Sequence, residues 1–365
     1  MILDEILRFL EAIAPTSLQE SYDNSGLIVG NRQGQVNQAL ITIDCTEDVV
    51  DEAIEKQCDL IIAHHPIVFS GLKTFNGTDY ISRTLIKAIK NNISIYAIHT
   101  NLDNVMGGVN SAIASKIGLE ETKILRYKKG QMKKISVYVP IEHEQNIKDT
   151  MWQAGAGSIG NYNHCSFTSN GTGTFLGNAL SQPSYGKKNQ FHSEKESKIE
   201  MVFPSHLESI ITSKMLESHP YEEVSYDVIT LENHHTGIGS GLIGQLPNPM
   251  KTNDFLNHLK LVMQTDVIRH TKQVHDKISK VAICGGSGSF LLSDAISKGA
   301  HVFVSADFKY HQFFDANDKL VIADIGHFES EQFTKELIYD LLKKKFTKFA
   351  THLSRVNTNP INYLK

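Results

Sequence analysis

Thiolate chemistry is scarce in this sequence. Only four cysteines occur in 365 residues, Cys45, Cys58, Cys165 and Cys284. None forms a Cys-x-x-Cys pair, which argues against a disulfide framework or a thiolate zinc site and fits a reducing cytosol. Long apolar runs are also missing, and with no stretch of about 18 apolar residues no membrane span is expected. Charge of one sign is nearly absent in excess: 36 Lys and Arg stand against 40 Asp and Glu, for a net charge of -4. Nucleic acid is therefore not an expected partner. The opening residues MILDEILRFLEAIAP carry neither a basic stretch nor a small-residue cleavage site. Their apolar positions recur at helical spacing, so they predict a first amphipathic helix of a cytoplasmic protein. No Ser-His-Asp or Cys-His nucleophile pattern stands out.

What is present is an alternation of strands and helices. Hydrophobic residues make up 41% and charged residues 21% of the chain, the composition of a globular protein of about two domains at ~150 residues each. ALITIDC predicts a strand, Thr46 a helix start, and DLIIA a second strand running into His64-His65-Pro66. The pattern repeats: the helix SRTLIKAIKNN precedes the strand ISIYAIHT, which runs into Asn101, Leu102 and Asp103. Such alternation predicts an α/β fold with a mainly parallel sheet covered by helices on both faces. Residues 131–233 have a different texture, strand-helix-strand twice over, and predict an inserted ferredoxin-like α+β domain. In it, Tyr221-Glu222-Glu223 reads as a strand entry and the adjoining His234-His235 as a loop. The domains are then 1–130, 131–233 and 234–365. The last resumes the α/β texture with KVAIC, the turn GGSGS, HVFVSAD and LVIAD.

Polar residues collect where the predicted strands end. His64, His65, Asp103, His327 and Glu331 each follow a strand, and ligands of open α/β sheets bind beyond the carboxyl ends of strands. His327 and Glu331, four apart at a helix start, project from one face. Pro66 holds His65 extended, so the adjacent imidazoles can diverge toward two ions. Three imidazoles and two carboxylates suit a pair of divalent ions about 3.5–4 Å apart with a bridging water or hydroxide. They leave about two positive charges for hydroxide or an anionic substrate to meet. The nitrogen and oxygen donors admit zinc first, and also Mn, Fe, Co or Ni. Bland readings fit each piece: a strand-end turn for His-His-Pro, and a solvated i,i+4 pair for His327 and Glu331. His99 reads as a group orienting water or Asp103, or as a strand-end histidine. Asp307 and His311 read as acid/base groups or as surface residues of a turn. The turn GGSGS matches neither dinucleotide-binding nor P-loop spacing, and reads as a phosphate cradle or a tight turn.

Taken together, AHHPIVFSGLK, HTNLDNVMGGVN, GHFESEQF and YDNSGLIVG resemble the Nif-three-like dinuclear metal-centre family, also called the GTP cyclohydrolase I type 2 homologues. The resemblance covers essentially the whole chain, and His64, His65, Asp103, His327 and Glu331 match its metal-ligand motifs. The middle segment, with GAGSIGNYNHCSF and HPYEEVSYDV, looks like the PII-like or CutA-like insert of longer bacterial members. The resemblance implies a homohexameric ring with inward-facing metal sites. Two functions follow as expectations. One is a metal-dependent hydrolase acting on a nucleotide or phosphate-bearing substrate, with His99 or His311 moving the proton. The other is a non-catalytic metal-binding regulator or adaptor whose insert senses a small molecule.

Overall fold

The computed structural model describes residues 1–364. The chain divides into two compact units, one formed by Met1–Tyr127 together with the residues from Thr236 onward, the other by Lys128–His235.

The first unit is a mixed α/β fold with two sheets. One sheet has the strand order Gly26–Val29, Ser94–Ala97, Leu60–Ala63, Gln38–Thr42, Ala350–Leu353. It is parallel except for the antiparallel edge strand Gly26–Val29. The other has the order Arg269–His270, Val321–Asp324, Val302–Ala306, Lys277–Ser287, Gly239–Lys251, Glu120–Tyr127. Its three central pairings are two parallel and one antiparallel, and both edge strands are antiparallel. The single, mainly parallel sheet expected from the sequence is thus two sheets, and the second is mixed. The physical reason is that βαβ alternation reports local connections. Which strands become neighbours is decided by long-range pairing, as when Ala350–Leu353 returns to lie beside Gln38–Thr42.

One hydrophobic cluster takes Ile41, Ile62 and Tyr96 from the first sheet and Val281, Val304 and Ala323 from the second. Leu3, Ile6, Leu7 and Leu10 of the helix Leu3–Ile13 join it, all fully buried on one stripe, each contributing about 1.5–3 kcal/mol. Thr46 and Asp79 start the helices Glu47–Glu55 and Tyr80–Lys90 by accepting from the backbone N–H groups of Val49 and Ser82, which satisfies donors otherwise left orphaned. Those two helices cover the outer face of the first sheet through Val49, Val50, Leu85 and Ala88.

The second unit runs strand Met132–Pro140, helix Glu144–Gln153, strands Phe167–Leu176 and Phe191–Pro204, helix Glu208–Ser218 and strand Tyr226–Leu231. Its antiparallel sheet has the order Phe167–Leu176, Phe191–Pro204, Met132–Pro140, Tyr226–Leu231. Alternation along the strands sends Ile135, Val137, Val139, Ile199, Met201 and Phe203 to one face. There they pack against Ile147, Met151, Ile211 and Met215 from the two helices. Tyr221-Glu222-Glu223 lies in the turn before the strand Tyr226–Leu231.

Candidate metal centre

In the first unit the carboxyl ends of strands from both sheets deliver polar side chains to one cavity of about 350 Å³. The central strand Leu60–Ala63 ends in His64 and His65, and each imidazole is tied to a different neighbouring strand. His64 Nδ1 donates to the Ile98 carbonyl at 2.9 Å, beyond Ser94–Ala97. His65 Nδ1 lies 2.7 Å from Asp44 Oδ1, beyond Gln38–Thr42. Since a carbonyl only accepts, His64 Nδ1 carries a proton, and Nε2 is the ring nitrogen left to face the cavity.

His99 and His327 repeat the arrangement. His99 Nδ1 lies 2.7 Å from Asp23 Oδ1, and His327 Nδ1 lies 2.6 Å from Asp307 Oδ2. A metal-binding histidine commonly has its second ring nitrogen held in this way by a carbonyl or carboxylate. With Nδ1 anchored, Nε2 faces inward. The His65 and His327 Nε2 atoms stand 2.9 and 3.1 Å from Glu331 Oε2. His64 Nε2 stands 3.8 Å from both Glu331 Oε2 and Asp103 Oδ1. His64 is 0% and Glu331 3% exposed. Three groups of ligand atoms, each within 4.8 Å of one another, result: His64, Asp103, Glu331; His65, His327, Glu331; and His64, His65, His99.

His64 Nε2 and Asp103 Oδ1 are buried and have no hydrogen-bond partner among the described residues. Buried polar atoms are nearly always satisfied, so two facing ligand-type atoms without partners fit a cation bound between them. The charge balance agrees. Burial pulls the His65 imidazole down, but Asp44 and Glu331 lift it to about 10. Burial likewise opposes His327, which Asp307 and Glu331 lift to about 11. Burial pushes the Glu331 carboxyl up, and His327, His64 and His65 outweigh it and hold the group well below the carboxylate range. Asp103 is pushed up to about 6, by burial first and by Glu331 beside it, against the pull of His64. In the metal-free protein, therefore, protons on His65 and His327 supply the positive charge that ions would bring.

Glycine makes room for these groups. Gly286 has φ +60°, and a Cβ there would meet Glu331 Oε1 at 2.5 Å. One at Gly285 would meet Glu331 Cγ at 3.3 Å. The GGSGS turn is thus a support beneath Glu331, and its Gly286 N–H donates to Ser330 Oγ at 2.9 Å.

All five ligand candidates read from the sequence, and His99, come together here. His311 does not. The chain turns through a left-handed Asp307 (φ +57°) into the short helical segment Tyr310–Ala316. Asp307 is thereby aimed at His327, while His311 is left exposed against Tyr310 and Phe314. Asp44 and Asp23 escaped the sequence reading. The available signal for Asp44 was a carboxylate directly after the strand of ITIDC; Asp23 lies in a loop, and its tie to His99 spans 76 positions.

Comparison with known proteins gives a consistent picture. The chain is 36% identical over 364 residues, 98% of each protein, to a Halalkalibacterium halodurans protein named GTP cyclohydrolase 1 type 2 homolog. It is 35% identical to a Bacillus subtilis protein of the same name, covering 99% of this chain and 98% of that one. A crystal structure of a Bacillus cereus protein related to NIF3 superposes with a TM-score of 0.85 at 36% identity, covering 99% of both chains. A Staphylococcus aureus protein structure gives a TM-score of 0.79 at 28% identity, covering 100% of this chain and 99% of that one. The family model described as DUF34/NIF3 (NGG1p interacting factor 3) matches residues 1–360, and the chain belongs to that family.

Proposed function

We propose that this protein holds two divalent metal ions and acts as a metal-dependent hydrolase on a nucleotide or other phosphate-bearing substrate. The observation that carries the reading is the facing pair of buried, unpartnered atoms, His64 Nε2 and Asp103 Oδ1, beside Glu331. His64 and Asp103 would hold one ion, His65 and His327 the other, with Glu331 shared between them. Zinc is the first choice for a nitrogen and oxygen donor set, with Mn, Fe, Co and Ni admitted. When bound, such ions supply Lewis-acid polarisation and a water nucleophile at neutral pH.

The protein's own groups do the rest. Asp44, Asp23 and Asp307 fix the rings of His65, His99 and His327. His99, outside the two ligand groups that share Glu331 and lining the same cavity, is placed to move a proton between substrate and solvent. Tyr22 and Phe69, with ring centroids 6.0 Å apart at the cavity wall, offer faces for a flat base to stack on. The name carried by the relatives makes GTP the first substrate to try.

Metal-loaded protein incubated with GTP and a panel of nucleotides and phosphate esters, alongside Asp103→Ala, tests the reading. Turnover lost in the variant supports it, and no turnover across the panel removes the hydrolase. A second reading is a metal-binding regulator whose inserted unit, of PII-like or CutA-like type, takes a small molecule. It is favoured by a cleft of about 710 Å³ lined wholly by residues of that unit. Assembly as a homohexamer, implied by the family resemblance, is checked by light scattering.

A further inference from the structure

The cleft of the inserted unit has a chemical character of its own. Its walls include Phe175, Tyr185 and Tyr221. Tyr221 stands near-perpendicular to both other rings, with centroids 6.4 Å from Phe175 at 64° and 5.9 Å from Tyr185 at 71°. Rings set at such angles present faces and edges to a common space and form the sides of a box.

Beside Tyr221 lies Glu196, 9% exposed. Its Oε1 accepts from the Tyr221 hydroxyl at 2.8 Å. Its Oε2 has no partner among the described residues and rests over Gly173, where a Cβ would come within 2.1 Å of it. Gly173 therefore leaves the space that this carboxylate fills. No lysine or arginine pairs with Glu196 among the described residues, and a carboxylate this buried ordinarily has a cationic partner. Glu222, Glu223 and Asp227 also line the cleft. The lysine that lines it, Lys198, is already paired with Glu200 at 3.3 Å. From Lys128 to His235 the sequence contains no arginine, the residue best suited to gripping phosphate or carboxylate in a forked contact.

We propose that this cleft is a binding site for a small organic cation, an amine or ammonium group that sits among the aromatic faces and pairs with Glu196. Aromatic faces attract ammonium groups through the ring quadrupole, the more strongly where water is excluded. The cleft's volume of about 710 Å³ is in the range of small-molecule sites and leaves room for more than a single ammonium head. Glu222, Glu223 and Asp227 can receive further amino groups along the same molecule. The proposal rests on the reading of the inserted unit as a small-molecule site and is independent of the metal centre.

Calorimetric titration of the full-length protein with spermidine and with tetramethylammonium tests it, with ATP and 2-oxoglutarate as anionic counterparts. Saturable binding of a cation is expected, weakened about tenfold in Glu196→Gln and also weakened in Tyr185→Leu. Tyr185 sits in the loop between two strands and outside the hydrophobic core of its unit. Its replacement therefore guards against a misfolded Glu196 variant, and melting curves of both are recorded. Saturable binding of ATP or 2-oxoglutarate without cation binding would overturn the charge assignment and leave the small-molecule reading standing. No binding of any probe, or cation binding unchanged in Glu196→Gln, would overturn the proposal outright, and the former would remove the small-molecule reading with it.

Discussion

Each unit of the chain buries a carboxylate in a cleft, and the two carboxylates are satisfied in different ways. Glu331 is surrounded by imidazoles, with His65 and His327 at 2.9 and 3.1 Å. Glu196 has the Tyr221 hydroxyl at 2.8 Å and shares its cleft with the rings of Phe175 and Tyr185. On the two proposals both clefts take positive charge, and the neighbouring donors decide which kind. Imidazole nitrogens turned inward offer directed coordination to a small ion once their protons are displaced. Aromatic faces offer a diffuse attraction that suits a bulky ammonium group. The same residue type, glutamate, would thus serve two chemistries because of what surrounds it.

The sharpest way to break this contrast is to remove a ligand on one side only. Asp103→Ala is expected to lower metal content from about two ions per chain to about one, read by elemental analysis, while spermidine binding stays as in the parent. A loss of both would show that the sites are not independent. Next in size are the groups behind the histidines. Asp44→Asn and Asp307→Asn each remove a carboxylate that orients a ring and are expected to weaken metal affinity by about 10–100-fold, measured by competition with a chromophoric chelator. An unchanged affinity would mean that these rings need no anchoring.

Acidity gives the third test. In the metal-free protein His65 and His327 are raised to about 10 and 11. Groups raised in this way stabilise the fold fully below the ordinary imidazole value of about 6.5, and the benefit is lost as pH climbs through the raised values. Asp103, raised to about 6, adds a loss in the same direction once pH exceeds the ordinary carboxyl value of about 3.9. Glu331 is held low, so its contribution is present above about pH 4.3 and disappears as pH falls through its lowered value. The metal-free protein should therefore melt at a lower temperature at pH 9 than at pH 6. Metal should shift the melting temperature more at pH 9, because binding displaces the same protons. A melting temperature that rises from pH 6 to pH 9 without metal would contradict this account. The smallest effect is expected at Gly286→Ala, where the added Cβ meets Glu331 Oε1 in a left-handed conformation. The cost is about 1–2 kcal/mol in a denaturant titration, together with weakened metal binding, whereas Gly→Ala at Gly299, with open space around it, should cost only the backbone strain.

The candidate site was more legible in the sequence than the sheets that carry it. His64-His65 before Pro66, and His327 four residues before Glu331, announce themselves because ligand types recur at strand ends and at helical spacing. Asp44 and Asp23 are fainter: Asp44 is marked only by following a strand and Asp23 only by lying within YDNSGLIVG, and neither position names its imidazole partner. His311 lies away from the cavity for the complementary reason: nearness in sequence to Asp307 says nothing about the left-handed turn at Asp307 that precedes it. The division into two sheets was hidden because the apolar runs of Leu60–Ala63 and Val302–Ala306 are alike, and neither states its neighbours. Glu196 lay outside any motif. That no lysine among the described residues pairs with it is a fact of tertiary placement, and the glycine that accommodates it belongs to the neighbouring strand Phe167–Leu176.

Metal content and position test the central claim most directly. Crystals of the metal-loaded protein measured with anomalous scattering should show two peaks beside Glu331, one next to His64 and Asp103 and the other next to His65 and His327. A single peak under metal-replete conditions, or peaks away from Glu331, would contradict the account.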